Sequence, residues 1–383
     1  RVNCYFAILI FEVPGIHKME ILLNNAIDED FQSLLLPLNS LQNVYCTAKY
    51  RIKDNFITPN GLYANIISFC YVIVCLVVCV IQSVTYRQPI NNRITSNSLF
   101  AFNIFNLILR AIGFIINFFV SVTQSSNSVK LLLHLQNVRH MLNNNKSDFK
   151  LIKIGIWIQL FVLYVTCIGL FVYFHWYFSY FNFYDLIFDI LLISFEVNMV
   201  YAITIMKLIA NSMEFLHQEL RSKVRNRDTY TSCHVKLFDI YINIMQAYDM
   251  FKKSFQVLVT FHTHNTIKKP TKSRPQATPL VYSIISSIWL LKNLTFQVIL
   301  GLESERFYLA VHKLLVSYIV NNIFSHSSAD RRRKLYKNIL RFNRSSFSKL
   351  SACRIFVIDA GSPLRFFSCI VTYTFVLLQF AFL

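Results

Sequence analysis

Glycine is scarce in this chain, with seven glycines among 383 residues. Large soluble α/β enzymes need glycine in tight turns and in phosphate-binding loops, so this scarcity argues against that class. The sequence has no P-loop, no Rossmann glycine pattern and no nucleophile elbow, and we therefore expect no enzymatic activity and no cofactor. The nine cysteines show no spacing typical of a zinc site or a disulfide framework, so we expect no metal.

Acidic residues are also few: 19 Asp and Glu stand against 38 Lys and Arg, which gives a net charge of +19. Such a balance can indicate a nucleic-acid partner. Here, however, the cations cluster between hydrophobic segments, as they do in the cytoplasmic loops of membrane proteins. Hydrophobic residues make up 55% of the chain, and its mean hydropathy is +0.44. These values are typical of a multi-pass membrane protein whose partner is the lipid bilayer and not nucleic acid.

Six stretches are long and apolar enough to span a bilayer, which takes roughly 20 residues of helix. Any one of them would also suit a buried core helix, but six in one chain favour a membrane protein. We expect the chain to form a single all-α integral membrane domain over residues 1–383. The six stretches are 62–84, 99–123, 154–177, 184–206, 280–302 and 365–383.

The loop charges predict an orientation. Cation-rich loops precede the first and the last span and follow the second and the fourth, so these loops should be cytoplasmic. The N-terminus is then cytoplasmic and the C-terminus extracellular, which requires an odd number of spans. The chain begins with Arg1 and not Met, and we expect its N-terminus to be incomplete.

A seventh span must therefore lie between the stretches 184–206 and 280–302, so that it would be the fifth span along the chain and 280–302 the sixth. Residues 251–264 are the candidate. Their apolar core, Phe255–Phe261, is much shorter than a bilayer is thick. Two interpretations are open. Either a longer helix starts deep in the cytoplasm, or part of this span is missing from the sequence; the notable shortness favours the second. The predicted fold is a seven-transmembrane helical bundle whose fifth span is short or incomplete.

The last span carries a polar pattern that lipid alone would not favour. Thr372 and Gln379 fall on one helix face at about 3.6 residues per turn, and Tyr373 and Phe380 fall on the adjacent face. An amide at membrane depth needs a physical reason, such as a water-filled path or a neighbouring helix. This helix should therefore not face lipid on all sides.

The spacing Thr372-Tyr373, five residues, Gln379-Phe380 resembles the hallmark of the insect gustatory receptors. Further resemblance runs through residues 289–308, 332–351 and 356–366, and these stretches are similar to the bitter-type receptors of moths and butterflies. The resemblance implies a tastant-gated, non-selective cation channel built as a homo- or hetero-tetramer. It also implies a plasma-membrane location in sensory dendrites.

The same resemblance implies that the last helix of each subunit lines a central pore. Gln379 would then form a polar ring that hydrates ions, next to an apolar ring of Phe380 or Leu383 that acts as a gate. Alternatively, Gln379 and Tyr373 form hydrogen bonds between helices within one subunit.

Two charges near the middle of predicted spans should lie at similar depth, Arg110 in the second and Glu196 in the fourth. Unpaired charges at that depth are costly, so we expect these two to form an ion pair that braces the bundle, with Asp189 as a substitute for Glu196. They would line a ligand cavity in the alternative interpretation.

The outer end of the third span is rich in aromatic and polar rings. These side chains are candidates for a pocket that stacks on planar tastants, although their position at the end of the helix favours an interfacial aromatic belt. The residues are Tyr173, His175, Trp176 and Tyr177.

Two alternatives to a gustatory receptor share part of this pattern. A G-protein-coupled receptor also has seven spans, but its N-terminus is extracellular, and the motifs typical of its third and seventh spans are missing from this sequence. The other alternative is a gene product of receptor descent that has lost its function or whose exons are wrongly joined around the fifth span.

Overall fold

The computed structural model describes residues 25–85, 93–142, 147–178, 183–225, 230–267, 279–324, 329–352 and 356–362, and single positions from 364 to 379. Helices dominate these residues. The elements are α1 (Glu29–Val44), β1 (Tyr50–Lys53), β2 (Phe56–Pro59), α2 (Leu62–Thr85), α3 (Arg93–Thr123), α4 (Ser125–Leu142), α5 (Ser147–Phe178), α6 (Phe183–Arg225), α7 (Tyr230–Ile267), α8 (Pro279–Phe324), α9 (Ala329–Ser346), β3 (Ser351–Ala352) and β4 (Phe356–Val357).

An ordered segment precedes the first predicted span. Strands β1 and β2 pair antiparallel with Lys53 opposite Phe56, so Asp54 and Asn55 form a two-residue turn. Both turn residues have positive φ, 52° and 62°, which Asp and Asn tolerate better than most side chains. Tyr50 and Ile57 are fully buried. The hairpin is therefore part of the packed bundle.

The linker between α1 and β1 also lies inside the bundle, where each backbone carbonyl needs a partner. The hydroxyl of Ser68 in α2 donates to the Cys46 carbonyl at 2.6 Å, and that of Ser121 in α3 donates to the Thr47 carbonyl at 3.1 Å. The Asn60 amide donates to the Ala48 carbonyl at 2.6 Å. Side chains of two predicted spans thus hold the linker in place.

Helices α2 and α5 have exposed apolar faces, whereas α6 is central. Among the described residues, three helical stretches are long and apolar enough to cross a membrane: 62–82, 150–169 and 190–222. A fourth appears if 107–123 in α3 and 125–142 in α4, which meet at a 60° bend, form one broken span. The described residues are thus largely helical and include three or four candidate membrane spans; the count of seven spans and their orientation stay predictions.

Helix α7 covers the predicted fifth span and is continuous for 38 residues. It begins 21 residues before position 251, which favours the interpretation of a long helix that starts outside the bilayer. Its large aromatic side chains are buried against neighbouring helices, at Tyr241, Tyr248, Phe251 and Phe255. A helix with such protein contacts does not need a long apolar run.

Helix α8 runs for 46 residues, through the predicted sixth span and beyond it. Helix α9 and the short β3–β4 pair connect it to the last segment. The described positions of that segment, including Arg365, Thr372 and Gln379, are helical. The chain just before the last predicted span lies against the middle of α8, where Tyr308 contacts Ile358.

Candidate functional site

A buried ion pair joins α6 and α8. Lys292 donates to Oε1 of Glu196, and the side chain of each residue is only 11% exposed. Both positions lie within predicted spans. Because a lone charge at such depth is costly, the pair stabilises the contact between these two helices.

This partner of Glu196 differs from the one that the sequence suggested. Lys292 was visible in the sequence as a charge within the sixth span, but depth alone did not select it over Arg110. Arg110 is half-buried in α3. Its pairing with Glu196 stays a prediction, and the side chain of Asp189 lies outside the described residues.

A second polar cluster surrounds Asn198, two residues after Glu196. The Asn198 side-chain oxygen accepts hydrogen bonds from the Gln42 amide at 3.0 Å and from the Lys49 ammonium. Its amide nitrogen donates to Asn117 at 2.8 Å. One side chain thus links α1, the linker before β1, α3 and α6.

Lys49 is fully buried in this cluster. Its ammonium lies 5.4 Å from the centre of the Tyr201 ring and 5.6 Å from that of Phe255, within the range of cation–π attraction. No carboxylate among the described residues forms an ion pair with it. Burial therefore lowers the pKa of Lys49 to about 7.

A tyrosine hydroxyl holds the chain that leads into the last segment. Tyr308 in α8 accepts a hydrogen bond from the backbone N–H of Leu350 at 2.8 Å and donates to the Ile358 carbonyl at 3.2 Å. Nearby, Tyr248 in α7 donates to the Ser348 carbonyl at 3.1 Å. Burial raises the pKa of Tyr308, so this hydroxyl keeps the proton that it donates.

Close backbone packing adds to this anchor. A Cβ atom on Gly301 of α8 would lie 2.7 Å from the backbone oxygen of Asp359, so only glycine fits without a shift. The Asp359 carboxylate in turn accepts a hydrogen bond from Arg365 at 2.8 Å. The start of the last segment is therefore held directly on α8.

The structure describes only part of the predicted pore surface. Thr372 and Gln379 are helical and exposed, and the Thr372 hydroxyl donates to the Ser368 carbonyl at 2.9 Å. Tyr373, Phe380 and Leu383 lie outside the described residues. The roles of all five residues stay predictions.

The predicted ligand-pocket residues lie in the last two turns of α5. Their backbone is helical, but their side chains lie outside the described part: Tyr173, His175, Trp176 and Tyr177. Within the described residues, no group of three His, Cys, Asp or Glu side chains is placed to hold a metal ion.

The clusters at Asn198 and Tyr308 are not predicted by the sequence. A buried amide or hydroxyl gives no periodic signal, because its partners lie far away in the chain; Lys49 and Asn198 are 149 positions apart. Gly301 is one signal that the sequence offers, since a glycine inside a long helix often marks close packing.

The fold is similar to that of a solved receptor. The insect olfactory receptor OR5 from Machilis hrabei matches with a TM-score of 0.63 and 12% identity, over 92% of this chain and 100% of that chain. The same receptor in complex with eugenol matches with a TM-score of 0.54 and 11% identity, over the same shares. No family model and no curated sequence matches. At such identities the likeness shows a shared fold.

Proposed function

We propose that this chain is a gustatory-type chemoreceptor that forms a tetrameric, tastant-gated, non-selective cation channel in the plasma membrane. The observation that carries the proposal is the likeness to an insect olfactory receptor over 92% of the chain. The Thr372-Tyr373 and Gln379-Phe380 pairs add the resemblance to gustatory receptors. OR5 has been solved with eugenol, a small organic molecule, which supports small-molecule binding as the class of signal.

The proposed topology has seven spans, a cytoplasmic N-terminus and an extracellular C-terminus. It places the bend after α3, the end of α6, the start of α7 and the extension of α8 on the cytoplasmic side. This side carries most of the basic loops, as the positive-inside rule requires. The extracellular ends of α2 and α5 then face the tastant.

The proposed pore is formed by four copies of the last segment. Gln379 is exposed in the single subunit, as expected for a residue that faces other subunits or water. An amide ring can replace part of the water shell of a cation, while neighbouring rings of Phe380 and Leu383 close the path by dewetting. The Gly301 and Tyr308 contacts of α8 support a route by which movements of the bundle reach this pore.

The proposed tastant is a planar plant compound of the bitter type. Aromatic side chains at the outer end of α5, Tyr173, Trp176 and Tyr177, would stack on such a molecule and favour a cationic one. This choice of ligand rests on the gustatory resemblance, and the fold alone is equally suited to an odorant.

Current recording tests the proposal. The chain is expressed in cultured cells, alone and with related receptors, and exposed to alkaloids, glycosides and volatile phenols while G-protein signalling is blocked with GDPβS. We expect at least one compound to evoke a cation current that survives the block. Loss of every response under the block would contradict the channel, and responses to the volatile phenols alone would contradict the gustatory assignment.

A further inference from the structure

A cavity of about 370 Å³, here called the basal cavity, lies among α1, α4, α5, α6 and α8. Its lining includes Lys207 and Asn211, just after the predicted fourth span, and Leu151 and Ile152, just before the third. In the proposed topology both places lie at the cytoplasmic surface of the bilayer. The basal cavity is therefore at the level of the lipid headgroups.

The charges that line the basal cavity are mostly positive. Arg139 pairs with Asp30 at 3.4 Å, and Arg306 binds both carboxylate oxygens of Glu214, at 2.7 and 2.6 Å. The third cation, Lys207, forms no ion pair with any residue that the structure describes. Its ammonium is therefore available to bind an added anion.

The amide of Asn211 adds a second polar group that needs a partner. Its side-chain oxygen is buried and has no hydrogen-bond partner within the described residues. Asn211 follows Lys207 by one helical turn, so the two side chains lie on the same face of α6. An amide and an ammonium together suit a phosphate that also carries a hydroxyl or ammonium group.

The remaining lining is apolar apart from Ser212 and Gln218, and its α5 side leads towards lipid. Leu151 is 71% exposed, and the exposed face of α5 continues from it through Ile154, Trp157, Ile158 and Phe161. A ligand bound at Lys207 can therefore extend an apolar chain along α5. A free anion would use only the polar half of the cavity.

We propose that the basal cavity binds an anionic phospholipid of the cytoplasmic leaflet, with its headgroup at Lys207 and Asn211 and an acyl chain against α5. The choice of leaflet rests on the proposed topology, and the binding itself does not depend on channel activity. The bound lipid fills the space between α1, α5 and α6 and stabilises their contact.

The test is equilibrium binding of fluorescent phosphatidylserine to the purified full chain in neutral detergent, with fluorescent phosphatidylcholine for comparison. We expect Lys207→Gln to weaken phosphatidylserine binding about fivefold, as one lysine near an anionic lipid contributes. The exposed Lys150 on α5 does not line the cavity, so Lys150→Gln is the matched control and should keep the wild-type affinity. Lys207→Arg should also keep it.

Three results would overturn the proposal. Equal losses in Lys207→Gln and Lys150→Gln would show that the basic surface attracts lipid without a site. Equal affinity of the wild type for the two lipids would remove the charge selection. Displacement of the lipid by inorganic phosphate at the lipid's own concentration would show a simple anion site. Because the last two results need no variant, poor folding of Lys207→Gln leaves the test intact.

Discussion

Helices α2 and α5 differ from α6 in what surrounds their apolar residues, although all three have the composition of a membrane span. Over an apolar 18-residue window of each span, 28% of residues are buried in α2 and 22% in α5, against 72% in α6. Helices α2 and α5 therefore expose their apolar side chains on the outer surface of the bundle, where lipid would contact them. In α6 the apolar side chains form the core of the bundle.

The polar residues follow this division. Glu196 and Asn198 lie on α6, where Lys292, Lys49 and Asn117 supply partners. The exposed face of α5 over residues 151–165 is uncharged apart from its N-terminal end. A polar side chain inside a membrane bundle is thus tolerated where a neighbouring helix satisfies it, and it then fixes the position of that neighbour.

Breaking the Glu196–Lys292 pair should have the largest effect. Glu196→Gln leaves Lys292 buried without its counter-ion, and we expect a loss of about 3–5 kcal/mol in unfolding free energy. Lys292→Met in the same chain should restore a large part of that loss, as measured by thermal unfolding in detergent.

The same cycle with Arg110→Met is the control. If Arg110→Met restores more stability to Glu196→Gln than Lys292→Met does, Glu196 pairs with Arg110, as the sequence predicted. The Glu196–Lys292 ion pair would then be wrong.

Alanine substitutions of two glycines compare the close packing of α8 with the open surface of α5. Gly301→Ala puts a Cβ atom 2.7 Å from the Asp359 oxygen, and we expect a loss of about 1–3 kcal/mol from the forced shift. Gly169 on α5 has no atom within 4 Å of the same added Cβ, so Gly169→Ala should keep or raise the stability. Equal unfolding temperatures for the two variants would contradict the close packing of α8 on the last segment.

The buried ammonium of Lys49 should make stability depend on pH. Because its pKa is about 7 in the folded chain and near 10.4 when unfolded, the unfolded state binds more protons between these values. Stability should rise from pH 7 to pH 9 by on the order of 2 kcal/mol.

Lys49→Met should remove that rise in thermal unfolding experiments, whereas Lys53→Met, on the exposed turn of the hairpin, should leave it unchanged. An unaltered pH profile in Lys49→Met would show that Lys49 is not buried as an ammonium.

The hydroxyl of Tyr308 should give the smallest of these effects. Tyr308→Phe leaves the Leu350 N–H and the Ile358 carbonyl without their partner, which costs about 1–2 kcal/mol. Tyr63 on α2 is 77% exposed, so Tyr63→Phe is the matched change in the outer region and should be silent. Proteolysis near residues 350–358 should quicken in Tyr308→Phe alone, and equal digestion of both variants would contradict the anchor.

The sequence predicted the exposed helices α2 and α5 well, because exposure to lipid demands a long uncharged run. The stretches 62–84 and 154–177 lie within α2 and α5, and 184–206 lies within α6. Helix α7 was harder to predict from the sequence, because Tyr241, Tyr248 and Phe255 are buried against protein. A search for long apolar runs does not detect such a helix. Its continuity could be seen only in the fold.

The partners of polar residues could not be predicted from depth alone. Arg110 and Lys292 are both cations within predicted spans, and only helix packing places Lys292 next to Glu196. The linker before β1 gave no signal at all, since its carbonyls at Cys46, Thr47 and Ala48 are satisfied by side chains of distant elements.

Single-channel recording of the purified chain in a planar bilayer tests the central claim most directly. A compound active on cells is added to the bath, and the conductance and ion selectivity of the wild type are compared with those of Gln379→Ala. The exposed Gln246 on α7 provides the control change, Gln246→Ala. We expect ligand-gated cation openings whose conductance or selectivity changes only in Gln379→Ala. Openings with identical conductance, selectivity and gating in both variants would contradict the pore assignment, and a purified wild-type chain that never conducts would contradict the channel.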